Sequence, residues 1–385
     1  MSDVKALAEE RTQLLADVMA GRVPKRVPVC PTITYEYAVE YTGNSLFEAF
    51  WHMENFEKIS DIICRDFYTD LFPMNYLRFP ALYKTLGAKN WMQGSNGFMQ
   101  HPEVVGLLEE EYDEFIESPY DCIMEKVLPR IYANLDTDPV TRSIVLAKAF
   151  KIFNDEFGNI GAVTAKLSAK YGLANVNLFS AAPSAPFDFV ADQLRGFRNM
   201  MLDIRRNPEK VEAAVKAVTP LVIKMGLPAG PPPPNTAVFI PLHMGPFMRT
   251  SDFERFYYPT FKEMVETFVK AGLHVLLFVE QDMMRYLDHL NDLPENTIMW
   301  FELGDPKLAK EKVGKKHIIT GFYPVTMLKT GTVEQCVDKA KEILDILAPG
   351  GRYFFNFDKA PLTFDTAKPE NLKAVLEYVA QNADY

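Results

Sequence analysis

From residue 237 to residue 381 short apolar runs alternate with helix-spaced ones, and this alternation restricts the fold more than any other feature of the chain. The apolar runs are AVFIPL (237–242), LHVLLFVE (273–280), NTIMWFEL (296–303), HIITGFY (317–323) and RYFFNFD (352–358). Helical spacing covers 251–271, 283–291, 306–313, 332–347 and 369–381. Buried strands alternating with helices make right-handed βαβ units around a parallel sheet. YGLANVNLFS (171–180) reads as one more strand with its loop, and VPVCP (27–31) as a short buried strand. An eight-stranded (β/α)8 barrel is the natural closure of such a series. The competing fold is an open doubly wound sheet, but no glycine-rich dinucleotide or phosphate loop follows any strand.

The rest of the chain reads as additions to one barrel domain spanning 1–385, with residues 1–25 as an N-terminal helical extension. The spacing predicts helices over 3–20 and 45–67, mostly helix over 103–150, and two helices over 186–225 parted at Asn207-Pro208. The acidic run Glu109–Glu111 reads as a solvated face. PAGPPPP (228–234) looks like a linker, yet a strand follows at once, so no domain boundary is expected there. Residues 70–101, rich in aromatics and Met and broken by Pro and Gly, cannot form one regular element. They suit either an irregular cap near the barrel mouth or an apolar wall for a flat ligand, with Met74 and Tyr76 as ring contacts.

With 41 Lys+Arg against 51 Asp+Glu the chain carries a formal charge of −10 and no basic block, which disfavours nucleic acid. No apolar run reaches the ~18 residues of a membrane helix. Cys30, Cys64, Cys122 and Cys336 are far apart and form no C-x-x-C, so neither a zinc ribbon nor a disulfide framework is written here. A reducing, cytoplasmic setting is expected.

In a βα barrel the functional side chains stand at the C-terminal ends of strands. That rule selects His243, then Glu280 and Asp282, then Glu302 and Asp305, then Phe322-Tyr323, and finally Asp358. A histidine and several carboxylates on one mouth suit a divalent metal or general acid/base work. Asp282, Glu302 and Asp305 have simpler roles as helix caps. Glu280, Asp358 and His243 are the strongest candidates, both for catalysis and as metal ligands. Phe278 and Tyr323 are the expected substrate contacts beside them. His52, His101, His274, His289 and His317 have no second ligand nearby in sequence.

Three stretches carry a resemblance. RGFRNMMLDIRRNPEKVEAA (195–214), SDFERFYYPTFKEMVETFVKAGLHV (251–275) and ITGFYPVTMLKTGTVEQCVDKAKEIL (319–344), the last continuing into 348–379, resemble the uroporphyrinogen decarboxylase superfamily. This is a (β/α)8 barrel family that also contains zinc-dependent, corrinoid-linked methyltransferases. The resemblance covers most of 186–380, and the N-terminal half matches in layout only. The decarboxylases grip a polycarboxylate tetrapyrrole with an arginine-rich N-terminal motif. Here TITYEYAVEYTG (32–43) has no Arg and two Glu, which would repel such a substrate. The methyltransferases hold zinc with a His-x-Cys pair and a later Cys. Those positions fall on Phe278, Glu280 and Asp358, so carboxylates stand where thiolates would, and His243 becomes the replacement imidazole.

The resemblance therefore implies an O-demethylase component that moves a methyl group from a small methoxylated aromatic compound to the cobalt of a corrinoid. Zinc would activate the ether oxygen. The chain has no Asp-x-His-x-x-Gly cobalamin signature, so the cobalamin would arrive on a partner corrinoid protein. Homodimerisation stays open. The alternatives are a decarboxylase or lyase acting through Asp70 or Asp358, and a non-catalytic binding barrel.

Overall fold

Residues 2–75 and 78–383 are described by a computed structural model. Four strands form a continuous parallel sheet in chain order: Ala237–Leu242, His274–Val279, Ile298–Phe301 and Ile318–Gly321. The other four positions are paired through one or two residues each. Ile319 and Tyr323 bridge to Tyr353 and Phe357, Phe355 bridges to Val29, Ile33–Thr34 pairs with Met74–Asn75, and Asn177 bridges to Thr236. Ala174 N donates to Asp70 O at 2.7 Å and joins the second and third positions. The ring closes, so this is the eight-stranded barrel expected.

Alternation along the strands sorts the side chains into two layers. Cys30, Leu71, Leu178, Ala237, Leu276, Ile298, Trp300, Ile318 and Phe354 fill the interior, with Phe239 and Phe278 packed against them. Leu15, Val18 and Met19 of the first helix, Ser2–Met19, join that interior cluster. The N-terminal extension is therefore a plug for the barrel. Ile240, Leu242, Val275, Leu277, Val279, Met299 and Ile319 face outward into the larger layer under the helices.

The helices after 250 appear where their spacing predicts, as at Val333–Leu347 and Pro369–Asn382. The N-terminal half departs more. Residues 45–67 break at His52 into Leu46–Trp51 and Phe56–Asp66. Residues 103–150 are mostly helical as expected, in short pieces from Glu109 to Leu135 followed by Pro139–Tyr171, which runs on 21 residues past 150. Residues 186–226 make three pieces, because Gly196 at φ 85 interrupts the chain between Pro186–Arg195 and Phe197–Arg206. Glu111 is not solvated: Arg130 grips both of its oxygens at 2.8 and 2.9 Å. The 70–101 stretch is a cap made of the helix Pro80–Leu86 and a hairpin pairing Met92–Gln93 with Met99–Gln100. Among the described residues no helix is long and apolar enough to cross a membrane.

The proline run 228–234 joins the third and fourth barrel positions, where Ala237 N donates to Asn177 O at 2.7 Å and Ser180 N to Ala237 O at 3.0 Å. A protease cut at Ala229-Gly230 should leave two fragments that co-elute on gel filtration and unfold in one transition, since neither half closes a barrel alone. Two independently folded fragments would show a boundary there.

Candidate active site

The interior cavity bordered by Met74, Trp300, Thr320 and Asn356 is about 20 Å³, far below the ~300 Å³ of a small-molecule site. A ligand must therefore sit above it, at the mouth. His243 follows Leu242 and lies in phase with the inward residues Ala237 and Phe239. Glu280 follows Val279 in phase with Leu276 and Phe278. The two side chains meet, with His243 Nε2 3.2 Å from Glu280 Oε1. Gln281 has φ 54 just after Glu280, and its N–H donates to Glu302 Oε2 at 2.8 Å. Glu302 in turn pairs with Lys359 at 2.6 Å.

The other face of the imidazole belongs to residues not suggested by the strand ends. Asp192 Oδ2 is 2.6 Å from His243 Nδ1. Asp188, one turn earlier on the same helix face, accepts from His243 N and Met244 N at 3.0 Å each and from Tyr257 Oη at 2.7 Å. Asp192 lies within a π-helical turn, Phe189–Arg195, a feature common at functional sites. Asp188 thus fixes the backbone that carries His243, and Asp192 fixes its ring. With both nitrogens on carboxylates the ring is an imidazolium. Burial pulls its pKa down, but the bonds to Asp192 and then Glu280 outweigh that and push it up to about 11. Burial, then the charge of Asp192, raises Asp188, and nearby His243 opposes this.

Asp358 does not join this pair. Its carboxylate accepts from Val325 N at 2.9 Å and Lys359 N at 2.7 Å. The unpaired first amide of the helix Val325–Thr330 has turned it aside, although its strand phase points inward. Burial pushes its pKa up to about 6 against those two N–H donors. Tyr323 is also misplaced as a substrate contact. It is in phase with outward-facing Ile319, is fully buried, and donates to Cys336 O at 3.0 Å. Phe278 does belong to the floor, its ring 4.6 Å from Trp300. Met74 borders the small interior cavity. Tyr76 lies outside the described residues. Asp282 and Asp305 cap the helical turns after them, accepting from Met284 N and from Lys307 N and Leu308 N.

Zinc would need three protein donors to make a catalytic centre. His243 and Glu280 supply two, and their 3.2 Å separation is close to the ~3.3 Å edge of a zinc tetrahedron. Asp192 stands behind the imidazole as an orienting carboxylate does. Among the described residues no three His, Cys, Asp or Glu side chains are placed to hold one metal ion. The set falls one donor short.

The cap contributes a stacked column. Tyr83 lies 5.6 Å from Trp91, Trp91 lies 4.1 Å from His101, and Arg78 stands 4.9 Å over the Trp91 ring. Arg78 is exposed and 3.9 Å from Glu36, on the helix that follows the first strand. Leu107 N and Gly106 N both donate to Leu194 O, and Glu103 accepts from Phe197 N. This ties the chain beyond His101 to the helix that carries Asp192. His101 titrates low, first because it is buried, and it feels the charges of Asp192 and His243. The D-x-x-x-D spacing at 188 and 192 was the one sequence signal for the missed carboxylates; Arg78 and His101 reach the mouth only through tertiary packing.

The uroporphyrinogen decarboxylase (URO-D) family model matches residues 167–382, more than half of the chain. The chain belongs to the uroporphyrinogen decarboxylase family. The matched region holds His243, Glu280, Asp188 and Asp192, whereas Arg78, Trp91 and His101 lie before it. Among solved structures, a methyltransferase from Methanosarcina mazei superposes with a TM-score of 0.62 at 15% identity, covering 96% of this chain and 98% of that one. At that identity the likeness establishes the shared fold alone. No curated protein matches the sequence.

Proposed function

We propose that the protein is a methyltransferase that takes the methyl group of a small methoxylated aromatic compound and passes it to the corrinoid of a separate protein. The observation that carries this reading is His243, held between Asp192 and Glu280 above the rings of Phe278 and Trp300. Family membership leaves decarboxylation and methyl transfer open; the solved methyltransferase of the same fold supports the second. Asp70, the acid of the decarboxylase alternative, is fully buried against Arg26 and Arg11 and has no access to the mouth.

The corrinoid cobalt supplies the nucleophile that accepts the methyl group. The chain must manage the other product. When the methyl–oxygen bond breaks, its electron pair stays on the aryl oxygen, a poor leaving group as phenolate. His243 donates its Nε2 proton to that oxygen, and a phenol departs. An acid near 11 is well matched to a phenol near 10, so the proton moves as the bond breaks and not before. Asp192 keeps the neutral ring in place for reprotonation. Zinc held at the His243–Glu280 gap would take the place of the Nε2 proton and polarise the ether oxygen itself, so zinc and the imidazolium acid are alternatives, and with two donors present no step here depends on zinc. Zinc retained by the wild type on dialysis and lost in Glu280→Gln would place it there.

The cap suggests how the ring is chosen. Arg78, exposed over the Trp91 ring, suits a ring bearing one carboxylate rather than a polycarboxylate. Arg78→Gln should raise KM for methoxybenzoates about 10-fold and leave KM for neutral methoxyarenes unchanged, since a charged hydrogen bond contributes about 1.5–3 kcal/mol. Equal losses on both substrate sets would assign Arg78 to holding the cap. The reading itself is tested anaerobically, by mixing the protein with a reduced corrinoid protein and a panel of methoxyarenes. Release of a phenol with loss of the cobalt(I) absorption band is expected. Carbon dioxide release from a carboxylic substrate, with no phenol from any donor, would restore the decarboxylase.

A further inference from the structure

Trp51 ends the helix Leu46–Trp51 and is 37% exposed, and Met92 of the cap hairpin is 52% exposed. Both line an open groove of about 310 Å³, together with Pro80, Tyr83, Trp91 and Met99. Trp51 forms one wall, and the stacked pair Tyr83–Trp91, 5.6 Å apart, forms another. Among the described residues no ring contact joins Trp51 to that pair, so the space between them is open. The walls are held in place. Gln93 accepts from Trp51 Nε1 at 2.8 Å and donates to Gly97 O at 3.1 Å, which ties the indole to the hairpin. A groove fixed in this way loses little freedom when a ligand enters it. His243, Glu280 and Trp300 do not border it.

This lining is what a flat apolar ring requires. Small-molecule sites span ~300 to ~1,000 Å³, so the groove suits one ring with its substituents rather than a tetrapyrrole. An aromatic ligand stacks on indole and phenol rings with centroids ~4.5–7 Å apart, and methionine sulfur adapts to ring edges. The one charge in the lining is Lys84, whose Nζ lies 5.3 Å from the centre of the Trp51 ring. Among the described residues its ammonium has no carboxylate partner. Glu48 borders a neighbouring groove, which also reaches Trp51 and Lys84, but does not pair with the lysine. An unpaired cation beside an aromatic slot selects an anion, and a charge-assisted hydrogen bond fixes how that anion lies. Ring and charge together specify an aromatic group that carries one carboxylate. Trp91 also stacks on His101 at 4.1 Å, so the groove shares a wall with the column at the mouth while opening among residues of its own.

The geometry points to a second small-molecule site on the cap, separate from the mouth, which binds an aromatic carboxylate with its ring between Trp51 and the Tyr83–Trp91 pair and its carboxylate on Lys84. The three tryptophans of the chain provide the test, because Trp51 and Trp91 line the groove while Trp300 lies in the barrel interior. Protein carrying 5-fluorotryptophan should give three fluorine resonances, assigned with Trp51→Phe and Trp91→Phe. Benzoate, which has no methyl group to give, should shift the Trp51 resonance saturably with a dissociation constant of about 1 mM or below, ~4 kcal/mol of binding. Lys84→Gln should weaken that binding about 10-fold, as loss of a charged hydrogen bond does. Lys84 is exposed, so the Trp300 resonance and its own response to benzoate should stay as in the wild type, which also shows the variant to be folded. Cyclohexanecarboxylate and benzyl alcohol, lacking the aromatic ring and the charge in turn, should each bind more weakly than benzoate. Binding is read without turnover, so the result is independent of the methyl-transfer reading. The inference is overturned if the Trp51 resonance stays in place up to about 10 mM benzoate, or if its shift is the same in Lys84→Gln. Equal affinity for cyclohexanecarboxylate would overturn the assigned class of ligand.

Discussion

Replacing His243 with alanine is expected to lower kcat for methyl transfer by about 10²–10⁴ and to leave the fold intact, since a positioned acid contributes that much to a proton transfer. The side chain is 37% exposed at the mouth, so its removal opens no core cavity and the melting temperature should move by only a few degrees. The loss should fall on kcat rather than KM, because the proton is needed only when the aryl oxygen departs. His243→Gln keeps a hydrogen-bond donor but not the charge, and should be nearly as slow. Asp192→Asn should be milder, about 10–100-fold, as expected for a group that orients another. Retention of full turnover by His243→Ala would make the pair a structural clasp and remove the acid from the mechanism.

The same residue fixes the pH dependence. An imidazolium held to about 11 keeps its proton across the neutral range, so the acid-dependent step should be flat from pH 7 to 9 and fail as pH approaches 11. The sign for stability is the same. The folded pKa lies above the unfolded value near 6.5, so the contribution of His243 is complete below about pH 6.5 and is lost as pH rises through the folded pKa. In His243→Ala that part of the alkaline decline in stability should be missing. A ring that NMR shows to be neutral at pH 8 would end this account.

Much of the barrel was legible because strand and helix periods are read locally. The run 237–242 was located to the residue, and the rule of strand ends picked out both His243 and Glu280. Two kinds of position were not legible. Asp358 and Tyr323 stand at strand ends too, but one is turned aside by a helix amide and the other is out of phase by one residue. Neither fact is visible without the neighbouring element. Asp188 and Asp192 sit on a helix that meets the strand end across more than 50 residues of sequence. The first, second, third and eighth barrel positions pair through one to three residues each, too few for alternation to register. The column of Tyr83, Trp91 and His101 joins residues from a helix, a loop and the end of a hairpin, so composition marked the segment while geometry alone gave its order.

Asp70 should prove the most costly single position for stability. Both of its oxygens accept from Arg26 at 2.7 Å, Arg11 Nε lies 3.0 Å away, and Val29 N donates to it at 2.8 Å. Through Arg11 it anchors the plug helix, whose Leu15, Val18 and Met19 close the interior. Arg11 also reaches the carbonyls of Tyr171 and Gly172 at 3.0 Å each, so the knot ties the plug to the end of the longest helix. Asp70→Ala leaves two guanidinium groups and one backbone amide without their shared acceptor. Breaking a buried ion pair from one side costs about 3–5 kcal/mol. That is a large part of the ~5–15 kcal/mol that holds a domain together. Unfolding entropy scales with length at ~2.1 cal/mol/K per residue, so for this chain the melting temperature should fall by about 4–6 °C. Arg11→Met, which removes one cation and keeps its apolar stem, should cost less, and the double variant Arg11→Met/Asp70→Ala should lose less than the sum. Turnover at permissive temperature should survive in all three. If Asp70→Asn instead melted with the wild type and lost its activity, Asp70 would be a chemical residue, and the decarboxylase reading would have to be taken up again.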